Sequence, residues 1–297
     1  MDEPFLASLQ RGARRLLPAR WRDDLTTVPV VRLSGAIGMI TPFQQSLTLA
    51  GVAKTLDRAF AVKRAPAVAL IINSPGGAPV QSHLIHKRIR ALAEEKEKHV
   101  FAFVEDVAAS GGYMIACAAD EIFVDLSSIV GSIGVISAGF GFDKLIERIG
   151  VERRVHTAGT RKMMLDPFRP EQEEDVERLK ALQRDIHQMF ADLVRRRRGP
   201  VLSGDDDLLF SGEFWAGAQA LSLGLADGVG DLREILRARY GREVRTPLVT
   251  APGGWFGRRA PGVGTSGSAI GGAAGVGFAQ GLASLAEERA LWSRYGL

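Results

Sequence analysis

Residues 67–77 read Ala67-Val68-Ala69-Leu70-Ile71-Ile72-Asn73-Ser74-Pro75-Gly76-Gly77. A short, unbroken apolar run of this kind is expected of a buried strand. Asn73 to Gly77 then punctuates it, because paired glycines let the backbone turn sharply and leave N–H groups uncovered. Helical spacing follows from Val80 to Lys96, with Leu84, Ile85, Ile89 and Leu92 on one face.

The alternation extends in both directions. Upstream, Val28 to Gly38 is apolar and β-branched and reads as a strand. Leu47 to Val62 reads as a helix through Leu49, Val52, Ala53, Leu56, Ala59 and Phe60. Downstream, Val100 to Val104 is a strand, Ser110 to Ala119 a short small-residue helix, and Glu121 to Val124 another strand. Repeated strand-helix-strand order predicts an α/β fold with a mainly parallel, buried sheet. A long helix is expected over Pro170 to Arg198, its apolar stripe running through Val176, Leu179, Leu182, Ile186, Met189, Phe190 and Leu193.

Composition sets bounds. The chain has 297 residues, 46% hydrophobic and 24% charged, enough for a sizeable core. Basic and acidic residues nearly balance, 38 against 34, which gives no argument for nucleic acid. The run Arg195 to Arg198 has an ordinary explanation: cations complement a helix C-terminus, and Gly199-Pro200 stops the helix. The single cysteine, Cys117, precludes an intramolecular disulfide and offers no zinc pattern. Neither a metal nor a cofactor is expected.

The chain divides into an N-terminal arm (1–27), a main domain (28–240) and a C-terminal region (241–297). In the arm, Phe5, Leu6, Leu9, Leu16 and Leu17 alternate with Arg11, Arg14, Arg15, Arg20 and Arg22. Two readings stand: a solvated terminus, or a basic amphipathic segment lying on an anionic membrane. The uncharged stretch Ala260 to Ala286 is long enough to span a bilayer but is crowded with Gly and Ala. It reads as a linker, Pro261 to Gly267, leading into a small-residue helix. No transmembrane segment or export signal is evident, so the expected location is cytoplasmic, with peripheral attachment to the inner membrane as its variant.

Two glycine-bearing loops follow apolar strands. Exposed N–H groups in the first, Asn73 to Gly77, can stabilise an oxyanion, although Pro-Gly-Gly is also a plain turn. The second, Asp106-Val107-Ala108-Ala109-Ser110-Gly111-Gly112-Tyr113, sets a serine at a helix N-terminus among small neighbours. That suits a nucleophile and equally suits an N-cap. A nucleophilic serine needs a base. The histidines His83, His86, His99, His156 and His187 lie in no recognisable catalytic motif, and His83 and His86, on a charge-rich helix, read as solvated. A lysine can substitute when it is neutral as it acts. Lys162, with Met163, Met164 and Leu165 after it, is the best candidate, although spacing alone does not select it.

Taken together, the ordered blocks resemble one family. They are Asn73-Ser74-Pro75-Gly76-Gly77, Ala109-Ser110-Gly111-Gly112-Tyr113, Gly131-Ser132-Ile133-Gly134-Val135, Gly159-Thr160-Arg161-Lys162 with Pro167-Phe168, and Ser211 to Ala220 with Gly224-Leu225-Ala226-Asp227. Their order over Val28 to Tyr240 resembles signal peptide peptidase A and its SohB-like relatives. The resemblance implies a Clp protease/crotonase-like fold of stacked ββα units. It implies Ser110 as nucleophile, Lys162 as general base, Ser132 orienting the lysine, and the N–H groups of Gly77 and Gly111 as oxyanion hole. It also implies cleavage of extended hydrophobic peptides, such as signal-peptide remnants or membrane-derived segments, without metal or nucleotide. A ring-like homo-oligomer with sites shared between subunits is expected, since this chain carries one copy of each motif. The alternatives are a non-catalytic scaffold, or an acyl-CoA enzyme on the related crotonase-like fold.

Overall fold

The structure is a computed structural model, and it describes residues 25–38, 46–159, 161–250 and 289–297. The arm 1–24 and the stretch Ala260 to Ala286 lie outside the described residues.

Five parallel strands form the main path of the sheet, in the order β1-β2-β3-β4-β7. They are β1 (Val30–Ser34), β2 (Ala67–Ser74), β3 (His99–Ala109), β4 (Glu121–Val124) and β7 (Gly228–Val229). Residues 245–249 run beside β1, with Val28 and Val30 N–H donating to Arg245 and Pro247 carbonyls. Two further strands, β5 (Ile129–Gly131) and β6 (Phe214–Ala216), branch from β3.

The central strands β2, β3 and β4 bury both faces. On one face Leu33, Leu70, Ile72, Ala102 and Ile122 meet helices α1 (Leu49–Phe60), α2 (Pro79–Glu95), α3 (Gly111–Ala116) and α5 (Glu173–Arg198). On the other, Val30, Ala69, Phe101, Phe103 and Phe123 pack under α8 (Leu232–Tyr240). Successive strand side chains point to opposite faces, so burial on both is what makes residues 67–72 apolar throughout. The shorter helices are α4 (Asp143–Arg148), α6 (Asp206–Leu209) and α7 (Gly217–Ser222).

Within the described residues, the expected strands and helices of 28–240 are present, with ends displaced by a few residues. The largest change is in β3, which continues past Val104 to Ala109. It does so by changing partners: Phe101 to Phe103 pair with β4, and Val107 to Ala109 pair with β5. This change of neighbour carries the chain directly to Ser110.

One expectation is corrected. His86 is buried rather than solvated, because its face of α2 packs on α3 and Nδ1 donates to the Met114 carbonyl at 3.0 Å. Burial lowers its pKa to about 4, against the opposing pull of that carbonyl. The arginine run finds specific partners: Arg195 pairs with Asp192 and Asp206, and the buried Arg198 pairs with Asp227 and donates to the Gly224 carbonyl. Among the described residues no helix is long and apolar enough to cross a membrane.

Candidate active site

Ser110 sits between β3 and α3 with φ 52° and ψ −121°. A residue with a Cβ adopts this region only under strain, and such strain gathers at functional positions. The N-cap reading of this serine fails on geometry, because its side chain makes no capping hydrogen bond. The half-buried hydroxyl is left available, as in a nucleophile elbow.

The two glycine loops meet at this serine. A Cβ on Gly76 would lie 2.8 Å from the Ser110 Cβ and 2.9 Å from the Ala109 carbonyl oxygen, and Gly76 has φ +101°. The approach is therefore open only to glycine. Gly76 itself is held by its carbonyl, which accepts the Ile37 N–H, and by its N–H, which donates to Ser74 Oγ. Among the described residues, the N–H groups of Gly77 and Gly111 donate to no protein acceptor. Gly111 directly follows the serine, and Gly77 directly follows Gly76, which touches it. Gly76→Ala is expected to cost about 2–4 kcal/mol through combined strain and overlap. Urea unfolding checks this, and an unchanged midpoint would show that the loop can yield.

On the other side, the Ser110 N–H donates to the Gly131 carbonyl at 2.8 Å, so Ser132 lies next to the nucleophile in the β3–β5 register. Ser132 is buried, with φ 50°, and its N–H donates to the Glu213 carbonyl. The Trp215 ring packs against Gly131, where a Cβ would come within 2.7 Å of it. This gives the Ser211–Ala220 block a physical role: it fixes the Gly131-Ser132 turn.

Lys162 is placed differently. It lies exposed on the turn that follows Gly159, and its side chain makes no hydrogen bond or ion pair among the described residues. Within one chain, then, Ser110, Ser132, Gly77 and Gly111 come together and Lys162 does not join them by any polar contact. A second arm, residues 136–159 and 161–168, carries it and has its own order. Arg153 pairs with Asp166 and lies 4.7 Å above the Phe168 ring, and the Phe168 ring is 5.5 Å from that of Phe142. Yet the arm leaves Ile136, Phe140, Leu145, Ile149 and Val151 exposed, Phe140 at 80%.

Some supporting roles carried no signal in sequence reasoning, even where the residue stood in a quoted block. Between Ile72↔Val104 and Ser74↔Ala108 the β2–β3 register slips. The Asn73 side chain bridges the slip, donating to Asp106 at 2.6 Å and accepting from the Val107 N–H at 3.3 Å. Ser82 on α2 packs where a Gly111 Cβ would stand. Tyr113 donates to the Leu225 carbonyl at 2.9 Å, tying α3 to the Gly224–Asp227 block. Burial pushes the neighbouring Cys117 thiol up to about 12, so it is an inert core group.

Comparison with known proteins follows the same residues. A model described as Peptidase family S49 matches residues 92–243, a range that holds Ser110, Gly111, Ser132 and Lys162 and begins after Gly77. The chain is 57% identical over 286 residues to a protein of Brucella abortus named Na(+)/H(+) antiporter NhaA, covering 96% of this chain and 39% of that one. It is 36% identical over 171 residues to the chloroplastic serine protease SPPA of Arabidopsis thaliana, covering 57% of this chain and 25% of that one. It is 31% identical over 169 residues to the probable protease SohB of Haemophilus influenzae, covering 57% and 47%. The chain thus spans well under two thirds of the length of these relatives. From the match across the serine, turn and lysine blocks, set on a mainly parallel α/β sheet of the Clp protease/crotonase-like kind, the chain belongs to peptidase family S49.

Proposed function

We propose that this chain is a serine endopeptidase working through a Ser110–Lys162 dyad. The observation that carries the reading is Ser110 itself: strained, uncapped, and seated between free N–H groups and the Gly131-Ser132 turn. In the first step the neutral Lys162 amine takes the Ser110 hydroxyl proton as Oγ attacks the scissile carbonyl. The oxyanion is held by Gly77 and Gly111 N–H. Lys162 returns the proton to the leaving amine, and an acyl-enzyme remains. Water then attacks it, with Lys162 again as base, and releases the carboxylate product. No metal or nucleotide enters these steps.

The lysine comes, on this reading, from a neighbouring copy in a ring. Two observations support that: Lys162 has no polar partner among the described residues, and the arm bearing it exposes apolar side chains that a second copy would cover. The substrates are extended hydrophobic peptides, such as signal-peptide remnants, because a narrow glycine-lined approach and an enclosed ring exclude folded proteins. Residues 28–240 make up the peptidase unit, with residues 245–249 added along the β1 edge.

A fluorophosphonate probe tests the reading. It is expected to label Ser110, as mapped by mass spectrometry. In Ser132→Ala it should label about 5–150-fold more slowly, since one orienting hydrogen bond near a buried site is worth about 1–3 kcal/mol. An unlabelled wild-type protein would return the chain to a scaffold role.

A further inference from the structure

Helix α3 is six residues long and carries the site at its N-terminal end. So short a helix has little stability of its own, and its last carbonyls have no partner within it. Three side chains from two other helices hold one of them, that of Met114, and the carbonyls of the turn Cys117 to Ala119 that follows the helix. From α2, His86 Nδ1 donates to the Met114 carbonyl at 3.0 Å, and Arg90 donates to the Ala118 carbonyl at 3.2 Å. From α5, Arg197 donates to the Cys117 carbonyl at 2.9 Å and the Ala119 carbonyl at 2.8 Å. Asp120 joins the two arginines, with one oxygen 2.8 Å from Arg90 and 3.2 Å from Arg197. Its other oxygen accepts the Val100 N–H on β3 at 2.9 Å.

We infer that Arg197, assisted by Arg90, is a positioning residue for catalysis: it fixes how far α3 stands along its own axis, and so where Ser110 and the Gly111 N–H lie relative to Gly77. The inference rests on the nucleophile reading above. The geometry explains why this end is clamped so heavily. At the other end Ser110 is strained and Gly76 is at contact distance, so a small displacement of α3 carries the serine out of register with the Gly76-Gly77 loop. A guanidinium suits the task because its rigid planar fork reaches two carbonyls and a carboxylate at once, whereas a lysine presents its donors from one compact nitrogen on a flexible stem.

The test compares Ser110 reactivity with fold stability. The second-order rate of fluorophosphonate labelling, kcat and KM on a peptide substrate, and the thermal midpoint are measured for the wild type, Arg197→Met, Arg197→Lys, Arg90→Met and Leu236→Ala. Leu236 is buried on the far face of the sheet and serves as a stability control. Arg197→Met is expected to label and turn over about 10–100-fold more slowly, because misplacement of ångström scale costs that much. KM should stay within about twofold, Arg197→Lys should recover part of the rate, and Leu236→Ala should keep it. Arg90→Met, which removes one carbonyl contact, should show a smaller loss and serves if Arg197→Met does not fold. Wild-type labelling rates in folded Arg197→Met or, failing that, in Arg90→Met would overturn the inference. An equal loss in Leu236→Ala would also overturn it. A wild type that does not label at Ser110 removes the nucleophile reading, and this inference with it.

Discussion

Ser110→Ala is expected to lower peptide hydrolysis by on the order of 10⁴–10⁶-fold, the range found when a catalytic serine is removed. The informative companion is Ser110→Gly. Both variants lose the hydroxyl, and only glycine relaxes the φ of 52°. Releasing such a backbone is worth about 1–3 kcal/mol, offset by about 0.5–1 kcal/mol from the greater freedom of glycine in the unfolded chain. Ser110→Gly should therefore be the more stable of two inactive proteins, by about 1 kcal/mol. Urea melts of both, beside a turnover assay, separate the cases. If glycine brings no gain, the strain is not stored at this residue; if alanine keeps wild-type turnover, the nucleophile lies elsewhere.

The second large effect belongs to Lys162. Lys162→Ala is expected to lose turnover on the order of 10⁴-fold, since an unassisted serine is a poor nucleophile at neutral pH. If the lysine is supplied by a neighbour, two dead proteins can restore each other. Equimolar Ser110→Ala and Lys162→Ala, allowed to exchange subunits, should place an intact serine beside an intact lysine at about one site in four. Activity should then reappear at a comparable fraction of the wild-type rate. Native mass spectrometry verifies the exchange. A mixture that exchanges fully and stays inactive means each site is completed within one chain.

Both predictions concern residues legible in the sequence, but legible for different reasons. Ser110 stood out because small residues and a strand-to-helix junction surround it. Lys162 had only the apolar residues after it as a local signal, and the order of the family blocks was what selected it, because a base is chosen by what it faces in space. Arg197 was readable only as part of a charge run. Its neighbours Arg195, Arg196 and Arg198 share its chemistry in one dimension and differ from it wholly in three.

What the sequence by itself determined is the frame. Unbroken apolar runs separated by glycine-rich turns and helical stripes leave a parallel sheet buried on both faces as the economical way to satisfy backbone and side chains together. Gly76, Gly111 and Gly112 stand where no larger residue fits. Tertiary structure alone decided how β3 passes from β4 to β5, how Asn73 spans the slipped register, why His86 is dry, and which carbonyls Arg90 and Arg197 hold. These are contacts between segments tens of residues apart. Local propensity reports the period of a helix or strand, while the partner of a polar group depends on which distant surface the finished fold brings against it.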